Sequence, residues 1–225
     1  QTLDWALRIV LFIAVPAAAA LMLLAEPILS TLFLYGEVMT PRDMAMATLS
    51  LRAYSLGLIA FMLIKVLAPG FFARQDMRTP VRIGVIAMVS NMILNLLFVV
   101  PLHFYWQVGH AGLALATSVS AFINASMLFF ALRAKGIYAP SRSWVRFFIN
   151  LGLAVTLMCT VLFFFSRYLG ALDSELWQQF SWWQRSGGMA AVCTAGLVVY
   201  AATLWLCGVR GADLRGPAKA TAREH

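Results

Sequence analysis

Acidic side chains are scarce in this chain. Nine Asp and Glu in 225 residues hold the charged fraction to 12%, against ~25% in an ordinary soluble domain. None of the nine falls at the centre of an apolar run, so the carboxylate that a proton relay or an intramembrane cation site would need is lacking. Cysteine is scarce too. Cys159, Cys193 and Cys207 lie inside apolar runs with neither a CxxC pair nor Cys/His spacing, which removes a metal site or disulfide framework and leaves them as small hydrophobes. His103, His110 and His225 have no i,i+4 spacing, and only the terminal His225 has an acidic neighbour, Glu224. With no DxxD-like or HxxxH-like pair, a membrane enzyme acting on lipid-linked phosphate has no visible apparatus. No catalytic residue, metal or cofactor is expected.

Hydrophobic residues are abundant. They make up 62% of the chain, the mean hydropathy is +0.82, and a soluble domain carries only ~45–50%. The apolar residues gather in six runs: Leu7–Ala25, Ala45–Ala68, Arg82–Val100, Ala111–Leu132, Arg146–Ser166 and Gly187–Cys207. Each is long enough to cross a ~30 Å hydrocarbon core as a helix, and none alternates as a barrel strand would. The expected class is an all-α polytopic membrane protein. The first run has no cleavage site followed by a soluble domain and reads as a retained span. A chain opening on Gln1 is read as a piece of a longer one.

The pI near 9.9 does not point to nucleic acid, because the basic residues sit between the runs. Of 17 Lys and Arg, 13 fall on one side when the spans alternate, leaving Arg42, Arg52, Arg167 and Arg185 opposite with Glu26, Glu37, Asp43, Asp173 and Glu175. The positive-inside rule makes the first side cytoplasmic, with both chain ends there. The outer connection Tyr168–Arg185 carries Trp177, Trp182 and Trp183 among Leu172, Leu176 and Phe180, an amphipathic stretch suited to the interface, with Asp173 placed to cap it.

Local signals refine the spans. Pro16 is mid-run and should kink the first helix. Thr40-Pro41-Arg42-Asp43 supplies an N-cap, a first-turn proline and a first-turn acid for the second, which is expected to be long. Pro69-Gly70 is expected to end that helix, and Thr79-Pro80 to start the next as N-cap and first position. Between them KVLAPGFFARQDMRTPVR, Lys65 to Arg82, places four cations in eighteen residues. On one reading Arg74, Arg78 and Arg82 orient the chain and contact anionic headgroups at ~1 kcal/mol each. On the other, the loop moves or meets an anionic substrate, with Asp76 interrupting the cations and Lys65 about one turn inside the membrane, where it could also snorkel.

Polar residues inside the spans divide the same way. Asn91 and Asn95 share one face of the third span, and Asn124 joins Thr117, Ser118 and Ser120 in the fourth. They either bond between helices, at ~0.6 and up to ~2 kcal/mol per contact, or line a water-filled cavity and meet a substrate headgroup. Gly57, Gly84 and Gly112 are read as sites of close helix approach.

The run YSLGLIAFMLIKVLAPGFFARQDMRTPVRIG, Tyr54 to Gly84, resembles the MviN/MurJ family of lipid II flippases, within the superfamily of multidrug, oligosaccharidyl-lipid and polysaccharide exporters. LDWALRIVLFIAVPAAAAL, ILSTLFLYGE and AGLALATSVSAFINASMLF fit the same family in the same order. The resemblance implies two six-helix lobes around a central cavity and two further helices, of which this chain corresponds to the last six. Residues 1–135 would be four helices of the second lobe, 136–209 a terminal pair forming a groove for a polyprenyl tail, and 210–225 a basic cytoplasmic tail. The implied function is flipping of an undecaprenyl-linked peptidoglycan precursor across the bacterial inner membrane by alternating access, for cell-wall synthesis. Implied partners are that lipid-linked precursor, membrane lipids, the N-terminal half of the same protein and the cell-wall synthesis machinery, with no nucleic acid. Lys65, Asn91, Asn95 and Asn124 are the substrate-binding candidates, and Arg74, Asp76, Arg78 and Arg82 the headgroup contacts. Export of another lipid-linked polysaccharide or a drug is the nearest alternative; a membrane enzyme or a non-transporting scaffold is the more distant one.

Overall fold

A computed structural model describes residues 2–33, 40–106, 109–138 and 143–208. All regular structure among them is helical: α1 (Thr2–Phe33), α2 (Pro41–Phe72), α3 (Arg78–Trp106), α4 (Gly109–Ala134), α5 (Ser143–Tyr168), the short α6 (Ser174–Gln179) and α7 (Trp182–Leu206). Six of these are long and apolar enough to cross a membrane, one for each expected span. Glu37, Arg142, His225 and the tail 210–225 lie outside the described residues.

The helices pack in the neighbour order α3, α4, α2, α1, α5, α7, with α6 against α1. Small residues let α2 and α4 close. A side-chain carbon at Gly57 would stand 2.5 Å from Ser118 Oγ, and that hydroxyl donates 2.7 Å to the Ala53 carbonyl across the seam. Ala60, Ala121 and Ala125 continue the seam. Of the other two glycines read as points of close approach, Gly112 is buried, but Gly84 faces open space on α3. That helix packs almost entirely on α4, with only a slight touch on α2, so the expectation fails there.

Pro16 stands inside an unbroken α1. Its missing N–H takes away the donor that the Phe12 carbonyl would have in a regular helix, and the Tyr200 hydroxyl of α7 supplies one at 2.7 Å. A span tolerates proline where a neighbour re-satisfies the freed carbonyl, so the proline also becomes the docking point of α7. Beyond it, Phe12 and Phe147 rings meet at 4.7 Å within a core of Leu11, Leu24, Leu151, Met158 and Leu162.

Helix α2 begins as its sequence predicts. Thr40 Oγ1 accepts from the Asp43 N–H at 3.2 Å and the Asp43 carboxylate accepts from the Thr40 N–H at 3.2 Å, a closed capping box. At its other end the expectation fails, because α2 runs through Pro69 and Gly70 to Phe72. Proline costs one hydrogen bond and keeps a helical φ, and glycine only permits a left-handed turn without forcing one. The turn comes later, where Gln75 takes φ 60° and the Asp76 and Gln75 N–H groups return to the Phe71 and Phe72 carbonyls at 3.1 and 2.9 Å, a Schellman closure. The next start is also corrected. Asp76 caps α3, accepting from the Thr79 N–H at 3.1 Å and the Thr79 hydroxyl at 2.7 Å. Thr79 and Pro80 therefore lie inside the first turn.

At 32 residues each, α1 and α2 extend ~48 Å, well beyond the ~30 Å hydrocarbon core.

Candidate functional site

Two polar clusters assign helix ends to the same face. In the first, Asp76 pairs with Lys135 from the end of α4, and Lys135 also donates 2.9 Å to Thr79 Oγ1 and lies 5.7 Å from the Phe71 ring. The Lys135 ammonium, followed by Thr79, holds the Asp76 carboxyl below its ordinary range. Its contribution to the fold is thus complete above the unfolded carboxylate value of ~3.9 and is lost only as pH falls through the lower folded one. Asp76, expected as a headgroup contact, fastens the α2–α3 turn to α4.

The second cluster joins α1 to the α4–α5 connection and α5. Asp4, in the first turn of α1, accepts from the Tyr138 hydroxyl at 2.9 Å and the Trp144 indole at 2.6 Å, and pairs with Arg8 at 2.9 Å. Arg8 donates to Ser143 Oγ at 2.6 Å, with its guanidinium 5.2 Å from the Trp144 ring. Burial, then the bond to Asp4, pushes the Tyr138 phenol above its ordinary value. The i,i+4 spacing of Asp4 and Arg8 was the available signal; nothing local announces their partners.

Together these contacts gather the start of α1, the end of α2, the start of α3, the end of α4 and the start of α5 on one face. The end of α7 joins them through Asn150, which donates to the Cys207 carbonyl at 3.5 Å. Arg74, Arg78 and Arg82 are all exposed on this face, and no ion pair is recorded for them among the described residues. The opposite face has its own fastening. Trp177, 2% exposed, donates 2.9 Å to Thr31 Oγ1, and Arg185, 7% exposed, reaches the Ser30 carbonyl at 3.5 Å. A cation at the end of α1 meets carbonyls that lack helical donors. Asp173 caps α6 as expected, accepting from Leu176 N–H at 3.3 Å. Trp177, read as lying in the interface, is instead plugged against α1, while Trp182 and Trp183 remain exposed.

Lys65 is exposed on α2, a helix that α1 and α4 flank. Pro69, four residues on, leaves the Lys65 carbonyl without its helical donor, so a free carbonyl and an ammonium share one turn. The amides lie elsewhere. Asn95 Nδ2 donates 2.6 Å to Asn91 Oδ1, Asn91 Nδ2 donates 3.0 Å to Ser120 Oγ, and Ser120 donates 2.9 Å to the Thr117 carbonyl. This ladder joins α3 to α4 and ends at Asn95 Oδ1, which is buried without a donor. Asn124 is half-buried four residues beyond Ser120. Because Ser118 meets Ala53 and Ser120 meets Asn91, the ladder lies level with Ala53. Lys65 is twelve residues further along α2, ~18 Å. The structure does not bring Lys65 and the amides together.

Among the described residues no three His, Cys, Asp or Glu side chains converge to hold a metal.

A family model described as lipid II flippase MurJ matches residues 1–179. Among curated relatives, the probable lipid II flippase MurJ of Vibrio cholerae is 44% identical over 96% of this chain and 39% of its own length. The corresponding protein of Haemophilus influenzae is 39% identical over 93% of this chain and 39% of its own. The lipid II flippase MurJ of Burkholderia cenocepacia is 38% identical over 96% and 40% respectively. The chain thus spans about two fifths of the length of these relatives.

Proposed function

Because the chain belongs to the MurJ lipid II flippase family, we propose that it supplies part of a transporter, not an enzyme, that moves undecaprenyl-linked peptidoglycan precursor across the bacterial inner membrane by alternating access. Residues 1–135 would form most of one lobe and 136–209 a terminal pair whose apolar outer faces receive the polyprenyl tail. The rest of the protein, the lipid-linked precursor and the cell-wall synthesis machinery are the partners of this reading.

The observation that carries it is the position of Lys65. Like Arg52 it is a cation within the second span, and it is exposed on α2 next to a carbonyl that proline has freed. A cation at that depth is costly unless it reaches water or an anion, and a carbonyl left without a donor draws water too. A hydrated cation facing a cavity suits the diphosphate of a lipid-linked sugar. Asn91, Asn95 and Asn124 are secondary headgroup contacts, with Asn95 Oδ1 the acceptor left open. In the full-length protein Lys65→Met should lower flipping tenfold or more at unchanged membrane abundance, and Lys65→Arg should lower it less, since charge remains while donor geometry changes. Wild-type flipping by Lys65→Met would remove Lys65 from the site.

Both chain ends, with Arg74, Arg78 and Arg82, are assigned to the cytoplasm by the excess of cations on their face. Ala73→Cys and Gln179→Cys, each exposed and each in a background without native cysteines, should label oppositely from the periplasm, Gln179→Cys alone reacting. Labelling of Ala73→Cys from outside would invert the assignment.

A further inference from the structure

A cavity of about 380 Å³ opens between α1, α2, α4 and α5, a volume within the ~300–1,000 Å³ of small-molecule sites. Three of the helices each contribute a pair one turn apart: Leu7 with Leu11, Leu63 with Leu67, and Trp144 with Phe148. The fourth wall is α4, whose Phe122, Ser126, Phe129 and Phe130 line it. The Tyr138 hydroxyl on the lining is already spent on Asp4, so the wall offers a ligand almost nothing polar. Packed interiors contain few voids larger than a water, and an apolar void of this size would go unfilled by water. The cavity is not sealed, because α4 and α5 scarcely touch. Phe122, Phe130 and Phe148 stand exposed along that gap, at 40, 62 and 54%. Both helices bordering the gap are long and apolar enough to cross a membrane, so it opens within the depth of the hydrocarbon core.

Charge at the mouth selects among lipids. Positions 122, 126, 129 and 133 recur at helical spacing on one face of α4, so Arg133 lies on the cavity's own face, one turn from Phe129 and Phe130 toward the cation-rich end. Lys135 is held by Asp76 and Arg8 by Asp4. Arg133 is exposed, and no ion pair is recorded for it among the described residues. We infer that this cavity is a binding site for an anionic bilayer phospholipid, one acyl chain inserted between α4 and α5 and its phosphate held by Arg133. The site needs a bilayer and does not rest on the transport reading.

The test uses the full-length protein in phosphatidylethanolamine nanodiscs, a phosphatidylglycerol probe with a photoreactive acyl chain, and mapping of the adducts by mass spectrometry. Adducts should concentrate on 122–130 and 144–148, at least fivefold above those on the exposed α3 face 85–97. Ser126→Phe should reduce the cavity adducts about fivefold while those on α3 stay constant, which also reports that the fold is intact. Arg133→Gln, a surface change, should bring phosphatidylglycerol labelling down to that of a phosphatidylcholine probe. Even labelling of α3, α4 and α5, or cavity adducts that Ser126→Phe leaves unchanged, would overturn the site. Labelling indifferent to Arg133→Gln would overturn its selectivity, and displacement of the probe by equimolar undecaprenyl phosphate would give the cavity to an isoprenoid instead.

Discussion

Exchange of Asp4 for alanine is expected to speed amide exchange in the first two turns of α5 about thirtyfold, with the rest of the protein little changed. Asp4 receives the Tyr138 hydroxyl, the Trp144 indole and the Arg8 guanidinium at once. Its side chain and that of Arg8 are only 24 and 26% exposed, so water replaces the lost acceptor poorly. Leaving partly buried donors and a cation without their acceptor costs about 2 kcal/mol after allowance for the remaining exposure, which corresponds to the thirtyfold change if the loss appears as local opening. Asp4→Asn keeps one acceptor oxygen and should recover part of the protection. Unchanged exchange at 143–150 in Asp4→Ala would mean that α5 is held by its apolar contacts with α1 alone.

The second large effect concerns Gly57. Its missing side chain is where Ser118 sits, with Oγ at 2.5 Å and Cβ at 3.0 Å from the carbon that alanine would add. The serine Cβ is fixed to the α4 backbone, so it cannot swing aside. Gly57→Ala should cost about 1–3 kcal/mol by overpacking, and Gly57→Leu should push α2 and α4 apart, break the bond from Ser118 to the Ala53 carbonyl and strongly reduce the folded protein in the membrane. Adding Ser118→Gly to Gly57→Ala vacates the space and should restore most of the abundance, short of the lost hydrogen bond. Gly57→Leu present at wild-type abundance, or a Gly57→Ala defect that Ser118→Gly fails to relieve, would show that this seam tolerates separation.

The six spans were legible because each carries its own evidence: a run of apolar residues long enough to cross a bilayer needs no knowledge of what it touches. The α2 start was legible for the same local reason, since Thr40, Pro41 and Asp43 act within one turn. The α2 end was not legible, because Pro69-Gly70 is a strong breaker only where the chain has no reason to continue, and here Leu67 and Phe71, only 1 and 0% exposed, carry the helix across it. Glu26 and Pro27 hid the last turns of α1 in the same way. Of the candidate site, the shared face of Asn91 and Asn95 could be read from their spacing, but the receiving Ser120 could not. Asp76 and Lys135 are 59 residues apart, and Asp4 and Tyr138 are 134 apart. Single polar residues that meet across such separations leave no periodicity, and only the fold introduces them.

Pro16 and Tyr200 impose an order on change. Losing the proline first is cheap, because Ala at 16 would give the Phe12 carbonyl its ordinary helical donor and make the Tyr200 hydroxyl dispensable. Losing the hydroxyl first strands that carbonyl in an environment without water. Of the two routes from a proline–tyrosine pair to an alanine–phenylalanine pair, only one avoids a destabilised intermediate. The pair is therefore epistatic in one direction, and drift at position 200 is gated by position 16, although 184 residues separate them in the chain.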